Sequence, residues 1–288
     1  MIDKIKSKSK FWYYLPDRIG GFVKHFLYIL LSLITLFPVY FIIVSAFKTK
    51  KEYALNALFL PSNPVLQNFT EAFKGNIFWL WLMNSLILTV GSILLSLLVA
   101  CLAAFAFSKM KFWGKSAMLN IIVSLMVIPP IVMIIPLFRL MAKINLTNNY
   151  ASVILIYSAL LLPFSIYLLT NFFVTIPDSL LESARIDGCT DIRILFSIII
   201  PLSRPAIITL VVVNSLWTWS ELLIALIFLQ SNKMKTLMVG IALFKTRYAI
   251  NIPVTMAAMV MATIPMILLY IFGQRYFVKG ISSGAIKG

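Results

Sequence analysis

The sequence predicts an all-α, polytopic membrane protein with six transmembrane helices and a short helical element on the cytoplasmic side. Three observations predict it. Of 288 residues, 61% are hydrophobic and only 12% charged, against about 45–50% and about 25% in a soluble domain. With a mean hydropathy of +0.98, a water-soluble chain has no interior large enough for its apolar surface. The apolar residues also fall in runs of roughly 20 or more, the length a helix needs to cross hydrocarbon at about 1.5 Å per residue. The charged residues collect between those runs. A disordered chain, a collagen-like chain and a disulfide scaffold are thereby excluded.

The runs are 26–47, a stretch within 75–108, 116–138, 144–177 with its apolar part starting near Tyr150, 205–230 interrupted by Glu221, and 248–274. Six spans place both termini on one side. With the N-terminus inside, segments 1–25, 108–116, 177–204 and 275–288 hold fifteen basic residues and the outer segments hold ten. That is the sign expected for cytoplasmic loops, although Lys48, Lys50 and Lys51 oppose it. The expected organisation is a cytoplasmic segment 1–25, a six-span domain 26–277 and a cytoplasmic tail 278–288. The first run is too long for a signal-peptide core and no small-residue cleavage site follows, so it is expected to stay as an anchor.

The net charge of +16 is spread along the gaps with no basic face, so no nucleic acid is expected as a partner. Four lysines between Asp3 and Lys10 suit contact with anionic membrane lipid. Cys101 and Cys189 read as unpaired thiols, and the single His25 has no Cys or His partners with which to hold a metal. No cofactor is expected. Pro163 and Pro265 suit ordinary kinks in the fourth and sixth spans. The Pro129-Pro130 pair in the third suits either kinked packing or a segment lining a pathway, since carbonyls freed by such breaks must face protein or a wet cavity.

Acidic residues are scarce, and four of the nine (Asp178, Glu182, Asp187 and Asp191) lie within fourteen residues between spans four and five. Ser179-x-x-Glu182 has the spacing of a capping box. Leu180, Leu181 and Ala184 are expected to share one helical face. Gly188 is placed to stop the helix in a left-handed conformation. A second apolar stretch, 192–200, is expected to end at Pro201. The reading is helix, glycine turn, helix over 177–204, either resting on headgroups or docking in a groove of a soluble partner.

This loop resembles the signature of binding-protein-dependent ABC importer permeases: E-A-A, three residues, G, nine residues, I, one residue, L-P. Here Glu182-Ser183-Ala184, Gly188, Ile198, Ile200 and Pro201 fall at the required spacing, with Ser183 for Ala and Ile200 for Leu. The wider chain is similar to the second permease of maltose-type carbohydrate importers. The similar segments are Ser45-Ala46-Phe47-Lys48 with Glu52, Asn68-Phe69, Ala72-Phe73, Asn84-Ser85, residues 102–107, Phe112 with Gly114-Lys115, Thr236-Leu237 with Val239-Gly240, residues 274–277 and the ending Gly284-Ala285-Ile286-Lys287-Gly288.

The resemblance implies a multi-pass subunit of a bacterial or archaeal inner membrane with no catalytic site of its own. It implies a heterodimer with a second permease, two cytoplasmic ATP-binding subunits and an extracytoplasmic sugar-binding protein. The helix carrying Ser179, Glu182, Ala184 and Asp187 would be a coupling helix docked in an ATPase cleft. Gly284, Ala285, Lys287 and Gly288 would reach the ATPase interface, and the last outer loop, 231–251, would probe the sugar-binding protein. Gly114-Lys115-Ser116 echoes a phosphate-binding loop, but position 109 is Lys rather than Gly.

Glu221 lies about 24 Å along the fifth span at 1.5 Å per residue, with Trp217, Trp219 and Asn214 nearby. A carboxylate in hydrocarbon is costly, so it must face protein or water. The four residues suit a translocation path, a permease interface, an interfacial Trp belt or a structural pair. Other solutes, such as glycerol phosphate or a polyamine, and a simple channel are the alternatives to a sugar.

Overall fold

A computed structural model describes the backbone of residues 2–74, 77–247 and 251–285, and the side chains of 21–74, 77–243 and 251–275. Among these residues all regular structure is helical. The chain divides into two compact units, residues 1–72 with 251–260, and residues 73–250 with 261–288.

In the first unit, helix α1 (Ile2–Ala46) runs on through the expected N-terminal segment, so its apolar window Gly21–Ala46 is the end of a longer helix. Two short helices follow, α2 (Lys50–Leu55) and α3 (Gln67–Ala72). Thr49 caps α2 by accepting the Glu52 amide. Asn68 donates to the carbonyls of both Ala46 and Lys48 at 2.8 Å. The outer segment is therefore folded back on the end of α1. The last helix, α13 (Ile252–Ala285), begins in this unit and continues into the second.

The second unit is built on the seam between α4 (Ile77–Lys109) and α7 (Tyr150–Val174). Buried Ser92, Ser96, Ala100 and Ala104 recur every four residues along α4, so small side chains form one stripe. In lipid, helix association depends on close van der Waals packing and interhelical hydrogen bonds rather than on a hydrophobic drive, and small residues permit both. The Ser158 hydroxyl donates to the Ser92 carbonyl at 3.0 Å, and the Ser96 and Ser165 hydroxyls are 3.4 Å apart. Pro163 sits inside α7 and Pro265 inside α13, and both helices carry on through them.

Two expected spans are not single helices. The third consists of α5 (Lys115–Ser124), a tight turn to Val127, and α6 (Pro130–Lys143), bent by 102° at the Pro129-Pro130 pair. Ile128 and Pro129 take extended conformations there, since the residue before a proline is pushed out of the helical region. After the short helix α8 (Asp178–Ile186) and α9 (Asp191–Leu202), the fifth span is α10 (Arg204–Ser220), a break at Glu221, then α11 (Leu223–Phe228). Among the described residues four helices are long and apolar enough to cross a membrane by themselves, and there are up to six spans if the bent pairs α5–α6 and α9–α10 each count as one. It is a multi-pass membrane protein.

The expected outer loop 231–251 contains a helix, α12 (Leu237–Arg247), whose Leu237, Val239 and Ile241 are buried; residues 248–250 lie outside the described residues. Gly240 of α12 meets Trp81 of α4 so closely that a Cβ would stand 2.0 Å from the indole ring. Gly240→Ala is therefore expected to destabilise the protein by about 1–3 kcal/mol through overpacking, read as a lower unfolding midpoint in detergent.

Candidate functional site

The hairpin α8–α9 is anchored on its inner face. Leu181 and Ala184, three residues apart, are buried against Phe173, Ile194, Leu195, Ile199 and Leu210. Leu180 does not share that face as expected; it is 46% exposed, because it projects a full 100° from Leu181 around the helix. Ser179, Glu182, Arg185, Ile186 and Asp187 are likewise exposed.

The capping box is not formed. The helix starts two residues earlier than that box would place it, at Asp178 with Pro177 before it and no side chain on the first amides. Ser179 therefore lies inside the helix, where its carbonyl accepts the Ser183 hydroxyl at 2.9 Å. At the other end Gly188 has φ +79°. Its amide donates to the Arg185 carbonyl at 3.0 Å, and that of Cys189 to Ala184 at 2.9 Å. This pair of bonds is the Schellman motif, which only a residue tolerant of positive φ completes without strain. Thr190 caps α9. Arg185 then pairs with Asp191 at 2.9 Å across the turn, an exposed pair of small energetic value.

Pro201 does not end the second helix. The helix runs to Leu202 because Leu195–Ile199 widen into a π-turn just before the proline. That wider turn accommodates a residue with no amide to donate. The chain bends by 79° into α10 directly afterwards.

Lys109, at the end of α4, was legible in the sequence only as a basic turn residue. Its side chain is 3% exposed, and its ammonium donates to the Asp178 carboxylate at 2.7 Å and to the Ile176 carbonyl. It ties the second span to the first residue of α8. That hydrogen bond and the Lys109 charge hold the Asp178 carboxyl below its ordinary value of 3.8. A lowered value means that the tie is complete above the ordinary value and is lost only as pH falls through the still lower folded one.

The four residues expected around the fifth span separate into two groups. Asn214 and Trp217 line a cavity of about 540 Å³ together with Leu125, Ile128, Pro130 and Phe164. Asn214 also donates to Ser165 at 3.1 Å. Trp219 is buried with its indole N–H on the Ala262 carbonyl at 3.0 Å. Glu221 lies at the helix break and accepts three donors: the amides of Ile224 at 2.8 Å and Ala225 at 3.1 Å, and the Tyr157 hydroxyl at 2.6 Å. Tyr157 is itself buried and stands edge-on to Trp217. The carboxylate thus fills the free amides of the first turn of α11, and its charge faces a helix N-terminus.

At the other end of α4, Asn84 donates to the carbonyls of Lys233 and Lys235 and accepts from the Tyr150 hydroxyl. The Ser85 hydroxyl accepts the Leu237 amide. Gly284 and Ala285 close the backbone of α13 without described side chains; Lys287 and Gly288 lie outside the described residues.

Residues 93–283 match the family described as the binding-protein-dependent transport system inner membrane component. The chain belongs to that family. It is 33% identical over 90% of its length to an arabinooligosaccharides transport system permease protein of Halalkalibacterium halodurans, 93% of which is covered. It is 34% identical over 87% of its length to the melibiose/raffinose/stachyose import permease protein of Bacillus subtilis, 91% of which is covered. A chain of the crystal structure of a bacterial ABC transporter that imports the acidic polysaccharide alginate superposes with a TM-score of 0.81 at 26% identity. That match covers 91% of this chain and 98% of the other.

Sequence reasoning missed Lys109 and Tyr157 in this permease. Both lie at positions where nothing local marks them, since their partners Asp178 and Glu221 are 69 and 64 residues away. The polar tyrosine inside an apolar run was the available signal. Glu221→Leu is expected to cost about 1–3 kcal/mol, because buried donors lose their acceptor. Glu221→Gln, which keeps one acceptor oxygen, is expected to cost less; thermal unfolding in detergent distinguishes them. Lys109→Met is expected to speed amide exchange severalfold across Asp178–Ile186 and to leave the middle of α4 unchanged, read by hydrogen exchange.

Proposed function

We propose that this permease carries a sugar or oligosaccharide through an ATP-driven importer and that α8 is its coupling helix. In this reading it pairs with a second, different permease and is driven by two cytoplasmic ATP-binding subunits. An extracytoplasmic sugar-binding protein supplies the solute. The observation that carries the proposal is the geometry of α8: Leu181 and Ala184 lock it to the membrane bundle while Glu182, Arg185, Ile186 and Asp187 point outward. A short helix fixed on one face and free on the other transmits a push instead of absorbing it. Lys109 passes that motion to α4, and α9 passes it to α10.

Sugar as the solute rests on the relatives, whose names specify arabinooligosaccharides and melibiose, raffinose or stachyose. The cavity lined by Asn214 and Trp217 agrees with it, as an apolar wall with a few polar groups suits sugar rings. Among the described residues no basic side chain lines that cavity, so a glycerol phosphate would meet no countercharge from them. We assign Asn214 and Trp217 to the path or to the interface with the second permease, and Trp219 and Glu221 to holding the helix break. Both termini are placed on the ATPase side, with the tail 284–288 at the ATPase interface. In this reading the ATP sites belong to the partner subunits; in support, Gly114-Lys115-Ser116 follows the end of α4 and not a strand, and Lys115 donates to its own turn at Met110.

Gly188→Val in the assembled importer is expected to abolish uptake and the stimulation of ATPase activity while the protein still inserts. A β-branched residue at φ +79° strains the turn by about 1–2 kcal/mol or more, whereas Gly188→Asn, which tolerates that region, is expected to retain most transport. Wild-type uptake by the Val variant in proteoliposomes would overturn the coupling role.

A further inference from the structure

The cavity between the bent pair α5–α6, α7 and α10 carries one polar group whose orientation is forced. Asn214 is 3% exposed, and its side chain lines the cavity. Its amide nitrogen lies 3.1 Å from the Ser165 hydroxyl. A hydroxyl has one hydrogen, and that of Ser165 is spent on the Leu161 carbonyl at 2.7 Å. Ser165 is therefore an acceptor toward Asn214, so the nitrogen and not the oxygen of the Asn214 amide must face it. The Ser96 hydroxyl, 3.4 Å away, is a second donor to Ser165 and cannot be relieved of that role by Asn214. Oδ1 is left as the free end of the amide. It has no partner among the described residues, and it is not sealed in like the unpaired hydroxyls of Ser92 and Thr170, so it opens on the cavity that the side chain lines.

Trp217 lines the same wall, three residues further along α10, and side chains at that spacing are neighbours on a helix surface. Its indole N–H makes no hydrogen bond among the described residues. Its ring is braced by Tyr157, which stands edge-on at 5.6 Å between ring centres. An acceptor and a donor thus stand side by side on an apolar surface that includes Ile128, Pro130 and Phe164. Among the described residues neither a carboxylate nor a basic side chain lines the cavity, so an ionic ligand finds no countercharge from them. A hydroxyl both donates and accepts, and a sugar ring adds CH faces for the apolar wall. The volume of about 540 Å³ falls within the range of small-ligand sites, about 300–1,000 Å³.

We propose that this cavity is a subsite for one neutral sugar unit of the transported solute, in which Asn214 Oδ1 accepts from a sugar hydroxyl and the Trp217 N–H donates to one. Ser165 is the positioning residue that holds the Asn214 amide in the accepting orientation. The proposal rests on the sugar-importer reading above and adds that this subunit itself selects the solute. An oriented acceptor in an apolar wall costs free energy unless something donates to it. A wall that solute merely slides past has no use for one, and a leucine would serve there.

The test uses the full importer, assembled with its partner subunits and binding protein in proteoliposomes and offered a panel of neutral di- to tetrasaccharides. Uptake of none of them would overturn the sugar reading and the subsite with it. With a sugar that is taken up, Asn214→Leu, close in size but unable to accept, is expected to lower the maximal rate about tenfold at saturating binding protein, the effect of one hydrogen bond. The sugar-free ATPase rate and recovery of the complex report that the variant is assembled. An unchanged rate would overturn the subsite and leave the sugar reading standing. Ser165→Ala is expected to cost severalfold, and the double variant to be no slower than Asn214→Leu alone, because Ser165 acts through Asn214. Multiplying losses would overturn the positioning role. Cryo-electron microscopy of the wild-type importer trapped with that sugar decides the case should Asn214→Leu fail to assemble. A sugar hydroxyl within about 3.2 Å of Asn214 Oδ1 is expected. Sugar held only by the second permease, or a side chain of that permease filling the cavity, would overturn the proposal.

Discussion

Hydrocarbon supplies no hydrogen bonds, and the break in the fifth span of this protein is shaped by that fact. Where the fifth span breaks, Glu221 takes two amides of the next turn and the Tyr157 hydroxyl. The same device recurs at the end of α1, where Lys48 and Tyr40 take three successive carbonyls of the returning chain. An unsatisfied group in lipid costs several kcal/mol, so these side chains decide whether a broken helix can exist there at all.

The same constraint explains why the second unit is held by small and hydroxyl-bearing residues. Along the α4–α7 seam, Ser92, Ser96, Ser158 and Ser165 bring two backbones together and bond across the gap. The seam ends in the hydrophobic cluster that seats Leu181 and Ala184 of α8. In the proposed coupling, load applied to the exposed face of α8 reaches the α4–α7 pair directly, and Lys109 fixes the near end against rotation of the short helix. A permease needs this rigidity if a motor outside the membrane is to move it.

Several of the segments that resemble the importer family are each other's neighbours. Asn84 and Ser85 bond to the stretch ending at Leu237, and Gly240 lies on Trp81. Lys48 and Asn68 meet at the end of α1. Residues that look scattered along the sequence are thus two fastenings, one in each compact unit.

The helical character of the spans, their order and the glycine-terminated helix between the fourth and fifth were set by the sequence alone. These depend on composition and on positive φ, which are properties of short stretches. Gly188 was therefore readable, as were the Pro129-Pro130 break and the exposed acidic face. The start of α8, the exposure of Leu180, the passage of α9 through Pro201, and the separation of Glu221 and Trp219 from the cavity that holds Asn214 and Trp217 were decided by tertiary structure. Each turns on a partner far along the chain, such as Lys109 for Asp178 or Tyr157 for Glu221. Local patterning specifies which groups must be satisfied, but only the packed helices determine which distant side chain satisfies them.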